Sequence, residues 1–181
     1  PHGEVHYVDA GDGDTLVLLH QTASNSTMWA RAMPRLAERY RVVAPDNPGF
    51  GLSDPPPEGA TISDYVEAAM AVLDALEIES VHAVGFHTGA TIAIEMAARN
   101  PDRIRSAVLA GVLAIQSDEE REYWRDLIIN PWEPDGRGVF LDKQVEFLRQ
   151  FIAEDDGDLF LAELLARLQA GPNYWWAYEA I

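Results

Sequence analysis

Cysteine is missing from all 181 residues, which removes disulfides, a thiolate nucleophile and any Cys-ligated metal from consideration. Basic residues are scarce: 13 Lys and Arg stand against 30 Asp and Glu, for a formal net charge of −17. Such a chain repels phosphate backbones and anionic headgroups at long range, so no nucleic acid and no membrane is expected as a partner. Although 48% of the residues are hydrophobic, no apolar run approaches the roughly 18 to 20 residues that span a bilayer. No basic start followed by an apolar core marks an export signal, and the expected compartment is cytoplasmic. Histidine is sparse and one-sided, at positions 2, 6, 20, 82 and 87 with none later. Internal repeats and low-complexity tracts are lacking as well.

The length suits one substantial core with, at most, an appendage. Up to about residue 112, short β-branched runs alternate with helix-period runs, the pattern of parallel strands joined by crossover helices. The strands are expected over Glu4 to Asp9, Thr15 to His20, Arg41 to Asp46, Val81 to Phe86 and Ser106 to Val112. Most are continuous apolar runs, as in a sheet covered on both faces. Ile62, Tyr65, Val66, Ala69, Met70, Leu73 and Leu76 recur at steps of three and four and predict a helix, with Thr61 and Asp64 as its capping box. A second helix, from about Thr88 to Arg99, must stop at Asn100-Pro101, because a residue before proline is pushed out of the α region. Beyond residue 113 the strand signal ends. The rest reads as helices separated at Asn130-Pro131, Asp156-Gly157 and Gly171-Pro172. Val145, Leu148, Phe151 and Ile152, then Leu161, Leu164, Leu165 and Leu168, form stripes expected to be core packing of a helical layer. The division is therefore residues 1–113 and 114–181.

The segment from Val81 to Glu95 sets an apolar strand before Gly85-Phe86-His87-Thr88-Gly89 and a helix after it. A strand-turn-helix of this kind strains its central residue and projects it upward. Gly85 and Gly89 lie where a side chain would crowd the turn. An imidazole at a helix N-terminus meets the positive end of the dipole, which lowers its pKa and leaves it neutral near pH 7. His87 is then available as a general base or a nucleophile. The alternative is that His87 merely tolerates the strained backbone, where His occurs more often than most side chains.

Four separate motifs carry a resemblance to the α/β-hydrolase superfamily, in its lid-containing esterase, haloalkane dehalogenase and carbon–carbon hydrolase branches. The turn at His87 is the first. Leu18-Leu19-His20-Gln21-Thr22 is similar to the strand ending in His-Gly that supplies an oxyanion-hole amide, with Met28-Trp29 opening the next helix. Pro45-Asp46-Asn47-Pro48-Gly49-Phe50-Gly51-Leu52-Ser53-Asp54 resembles the P-D-x-P-G-x-G-x-S loop. Pro101-Asp102-Arg103-Ile104 and the following strand continue the pattern. The resemblance implies an α/β-hydrolase fold, a mainly parallel sheet with helices on both faces and an inserted helical lid. It also implies a cofactor-independent, hydrolase-like enzyme acting on a small, mainly apolar carbonyl or ester compound. The backbone amides of Gln21 or Thr22 and of Thr88 would be the oxyanion donors, and His20, Trp29 and Phe86 would border the ligand. The rival is a non-catalytic member that binds a small molecule or acts as a scaffold.

Two departures bear on the chemistry. Gln21 stands in place of the usual glycine after His20, and His87 in place of the Ser, Asp or Cys that would attack. With no histidine after residue 87, a Ser-His-Asp triad cannot be assembled from this sequence. For the remaining residues the blander readings lead. His20 and Asp46 brace their loops, His82 is structural, His2 and His6 are too scattered for a metal site, and Trp29, Trp124, Trp132, Trp175 and Trp176 mostly pack. The start at Pro1 and the stop at Ile181 inside an apolar run look cut. The apolar strand Ser106 to Val112 lacks a later strand to pair with, so a C-terminal segment beyond Ile181, or self-association, is expected to cover its edge.

Overall fold

The computed structural model describes residues 3–112, 117–120, 122–123, 133–172 and 174–180. Five strands form one sheet in the order β1-β3-β2-β4-β5: β1 Tyr7–Ala10, β2 Thr15–Leu19, β3 Arg41–Pro45, β4 Val81–Phe86 and β5 Ile104–Ala110. The helices are α1 Met33–Leu36, α2 Ile62–Ala75, α3 Thr88–Arg99, α4 Val139–Leu148, α5 Gly157–Ala170 and α6 Trp176–Glu179, and a 3-10 turn covers Ser26–Trp29. Pairs β2/β3, β2/β4 and β4/β5 are parallel. β1 is the strand that makes the sheet mainly rather than wholly parallel, pairing antiparallel with β3 from Tyr7 opposite Pro45 to Ala10 opposite Val42. The four residues between β1 and β2, Gly11 to Asp14, are too few to carry the chain back across the sheet, so β2 sets off opposite to β1, and β3, parallel to β2, meets β1 antiparallel.

The central strand β2 is buried along its whole length and β3 from Val42 onward, because helices lie on both faces, while β4 alternates buried and half-buried residues. Val17, Leu19, Val43, Val81 and Ala83 join Tyr65, Val66, Leu73, Ile92 and Met96 of α2 and α3 in the larger core. Leu16, Leu18, Val42 and Ala44 join Met33 of α1 and the half-buried Trp29 and Leu36 in the smaller one. The two periodic helices form where the apolar spacing puts them. The Asp64 carboxylate accepts from the Thr61 amide at 2.7 Å, and α3 ends at Arg99, before Asn100-Pro101.

As the lack of a later strand led us to expect, β5 pairs with β4 alone among the described residues, and it is exposed along its length after Ile104. One expectation fails. The apolar stripes after residue 138 are only partly buried: Phe151 is 70% exposed and Leu161 and Leu165 56% each, while Gln144, Glu163 and Arg167 are buried. Polar pairing selects the buried face here. Arg167 Nε donates to Gln144 Oε1 at 3.0 Å, and the guanidinium carbon lies 4.3 Å from the Phe147 ring centroid, so the charge is matched within the layer. The break near Asn130-Pro131 and the 113/114 boundary lie outside the described residues, as do His2, Trp124, Trp132 and Ile181. No helix among the described residues is long and apolar enough to cross a membrane.

Candidate active site

Three chain segments converge at the carboxyl ends of β2, β3 and β4. The turn from β4 into α3 is the sharpest. His87 has φ 49° and ψ −117° and is one of two non-glycine residues with positive φ among those described. A side chain is strained there, and such strain persists only where its surroundings impose it. The imposing contacts are visible. A Cβ at Gly85 would fall 2.2 Å from Gly89 O, and one at Gly89 would fall 2.0 Å from Leu19 O. Both glycines are thus required for α3 to begin against the sheet. The His87 amide donates to Ala110 O at 2.9 Å, and the His87 carbonyl accepts from Ala90 at 2.8 Å. β5 and α3 together lock the turn.

The imidazole of His87 is half-buried. It stacks obliquely on Phe86 at 4.8 Å between centroids. Burial lowers its pKa from 6.5, in the same direction as the dipole of α3, so the neutral ring is favoured at pH 7.

The segment after β2 is held close to this turn. Thr88 Oγ1 donates to Thr22 Oγ1 at 2.9 Å, which brings together two of the residues expected to supply oxyanion amides. Gln21 lies half-buried beside them. From the helical layer, Tyr178 OH donates to Thr22 O at 2.8 Å, and Ser24 Oγ donates to Glu163 Oε1 at 3.0 Å. Burial raises the Glu163 carboxyl, against the lowering by Ser24, Arg167 and Gln21.

His20 is fully enclosed. Its Nδ1 lies 2.7 Å from Gln21 O, and its Nε2 accepts the Asn47 amide at 2.8 Å. These partners assign the proton to Nδ1. Burial brings its pKa to about 4. The ring therefore stays neutral and ties the loop after β2 to the loop after β3.

Asp46 braces the second loop. Its carboxylate accepts from Ser26 N at 2.6 Å, Leu52 N at 3.0 Å and His6 Nδ1 at 2.8 Å. Burial alone would raise its pKa, but the amides of Leu52 and Ser26, with His6, bring it below its ordinary value. A Cβ at Gly51 would meet Asp46 Oδ2 at 2.0 Å, which explains the glycine within that loop. Trp29 sits in the smaller core cluster, with its Nε1 buried and unpartnered among the described residues. His82 bonds Ser106 Oγ across β4 and β5 at 2.7 Å. Sequence reasoning missed Glu163 and Tyr178, whose partners lie 139 and 156 residues away; no local pattern announces such contacts.

A mainly parallel sheet wound with helices on both faces, a strained residue between β4 and α3, and a second segment held against that helix's first turn define a class. The chain belongs to the alpha/beta hydrolase fold family, whose sequence model matches residues 14–176. Among its relatives, the 2-hydroxymuconate semialdehyde hydrolase of Pseudomonas sp. (strain CF600) is 43% identical over 107 residues, 57% of this chain and 38% of that protein. The 2-hydroxy-6-oxo-2,4-heptadienoate hydrolase of Pseudomonas putida is 35% identical over 117 residues, 62% of this chain and 42% of that protein. The chain thus matches less than half the length of these relatives. A solved meta-cleavage product hydrolase from Pseudomonas fluorescens IP01 superposes with a TM-score of 0.70 at 28% identity, covering 98% of this chain and 64% of that one. The enol-lactonase from Burkholderia xenovorans LB400 superposes with a TM-score of 0.80 over 99% of this chain and 70% of that one. At 21% identity, this second likeness speaks for the fold alone.

Proposed function

We propose that this chain carries the elbow and oxyanion segments of a cofactor-independent hydrolase in which His87 acts as base or nucleophile on a small, mainly apolar carbonyl or ester compound. The observation that carries the reading is the backbone of His87: a strained φ of 49° at the head of α3, imposed by contacts that leave no room for side chains at Gly85 and Gly89. A neutral imidazole held there takes a proton from water as the water oxygen adds to the carbonyl carbon. The oxyanion then receives hydrogen bonds from the Thr88 amide and from that of Gln21 or Thr22, each worth on the order of 3 kcal/mol where such donors have been removed elsewhere. Phe86 borders the reacting group, with His20 behind the oxyanion segment and Trp29 further out. The segment from residue 114 to 181 serves as the lid. The relatives' names, a semialdehyde hydrolase and an oxo-heptadienoate hydrolase, support a small conjugated carbonyl compound as substrate.

The test is turnover of 2-hydroxymuconate semialdehyde and of 4-nitrophenyl acetate by the protein and by its His87→Ala variant. His87→Ala lowers kcat by roughly a hundredfold or more while the circular dichroism spectrum is unchanged. His87→Ser does not restore full activity, because Ser alone lacks its partners. An unchanged rate in His87→Ala removes His87 as the base, and saturable binding without turnover in the unaltered protein establishes the non-catalytic, ligand-binding alternative.

A further inference from the structure

We propose that Glu163 is a positioning residue, whose buried carboxyl group anchors Ser24 and so fixes the amides of Gln21 and Thr22 opposite Thr88. The inference rests on the catalytic reading above and deepens it. Glu163 is 8% exposed and Ser24 1% exposed, and their 3.0 Å bond joins α5 to the segment after β2. A buried carboxyl group is costly unless its oxygens are occupied, and here the hydroxyl that occupies Oε1 belongs to the oxyanion segment.

The remaining anchors of that segment act elsewhere. Thr22 is held at its hydroxyl by Thr88 Oγ1 and at its carbonyl by Tyr178 OH. The Ser24 amide closes a turn onto Gln21 O at 3.0 Å, so a pull on Ser24 is transmitted to the peptide between Gln21 and Thr22. Arg167, one turn further along α5, is already engaged by Gln144 Oε1 at 3.0 Å and lies over the Phe147 and Tyr174 rings at 4.3 Å and 5.1 Å. The fixed guanidinium supplies an opposite charge beside Glu163 without replacing its bond to Ser24.

The experiment compares Glu163→Leu, Glu163→Gln and Ser24→Ala in two ways: the amide shifts and hydrogen exchange of Gln21 and Thr22 by NMR, and kcat and KM for 4-nitrophenyl acetate. Glu163→Leu is expected to accelerate exchange at both amides and to lower kcat by roughly tenfold, a fraction of the effect of deleting an oxyanion donor, with KM little changed. Glu163→Gln, whose carbonyl oxygen still accepts from Ser24, rescues both readouts. Ser24→Ala repeats the Glu163→Leu effect, and combining the two adds little, as expected of residues acting through one bond. Should Glu163→Leu fail to fold, Ser24→Ala decides by the same readouts. Unchanged exchange at Gln21 and Thr22 in the folded Glu163→Leu or Ser24→Ala protein overturns the proposal. An inactive unaltered protein whose amides nevertheless respond would overturn the catalytic reading and leave the positioning role standing.

Discussion

Gly111 lies directly against the imidazole of His87: a Cβ on Gly111 would stand 2.8 Å from Cδ2 and 3.0 Å from Nε2. The glycine itself has φ 66°, so Gly111→Ala both strains the end of β5 and pushes the ring from its seat. The expected cost is about 1 to 2 kcal/mol of stability, read from urea unfolding. Any activity should fall by far more than this stability loss explains. Full activity in Gly111→Ala would separate the position of the ring from the chemistry.

Acid should weaken the protein before its carboxylates titrate. His20 has a folded pKa of about 4 against an ordinary 6.5, so between those pH values the unfolded chain binds the extra proton. Stability is therefore full above pH 6.5, declines as the pH falls, and levels near pH 4 after a loss of up to about 3 kcal/mol. His87 shifts in the same direction. Asp46, held below its ordinary value, adds a further loss as the pH falls through its lowered folded value. Urea midpoints measured across this range should show the slope in the parent, and His20→Gln should flatten it while lowering stability at neutral pH.

A fluorophosphonate probe should leave the chain unlabelled. Ser24 and Ser26 are buried. Ser53 Oγ is engaged, donating to Asp46 O at 2.7 Å and accepting from His6 N at 3.0 Å. Among the described residues, none of the three hydroxyls is hydrogen-bonded to an imidazole in the manner of a serine hydrolase. Stoichiometric modification of Ser24, Ser26 or Ser53, found by mass spectrometry, would relocate the nucleophile.

The outer edge of β5 should not stay bare. Val108 is 60% and Leu109 41% exposed, and neither charge nor proline protects the run from Ser106 to Val112. We expect the edge to be covered by a further segment of the native chain or by another copy. The 181-residue chain should therefore self-associate in sedimentation velocity, and Val108→Lys should weaken that association by roughly tenfold through like-charge repulsion at the interface. A stable monomer with an ordered, uncovered β5 would refute this.

The elements most legible in the sequence were those whose signal is local. β4, α3 and the start of β2 fall where apolar run length, the glycine pair and Asn100-Pro101 put them. The orientation of β1 was legible only in its connection: the four residues Gly11 to Asp14 are too few for a crossover, a constraint that apolar run length does not show. The stripes at Phe151, Leu161 and Leu165 misled for a related reason. Helical spacing shows which residues share a face, and only the partners of Glu163 and Arg167 decide which face turns inward.

Sequence alone determined that the chain would wind a mainly parallel sheet and would strain a histidine between a strand and a helix, since the local crowding of Gly85 against Gly89 and Ala90 and hydrophobic periodicity suffice for both. Tertiary structure decided what surrounds that histidine: Gly111 against the ring, Thr22 bonded to Thr88, and Glu163 reaching Ser24 from a helix 139 residues away. Those contacts join segments remote in the chain. They depend on the directions of individual side chains across a packed interface, which no local pattern encodes.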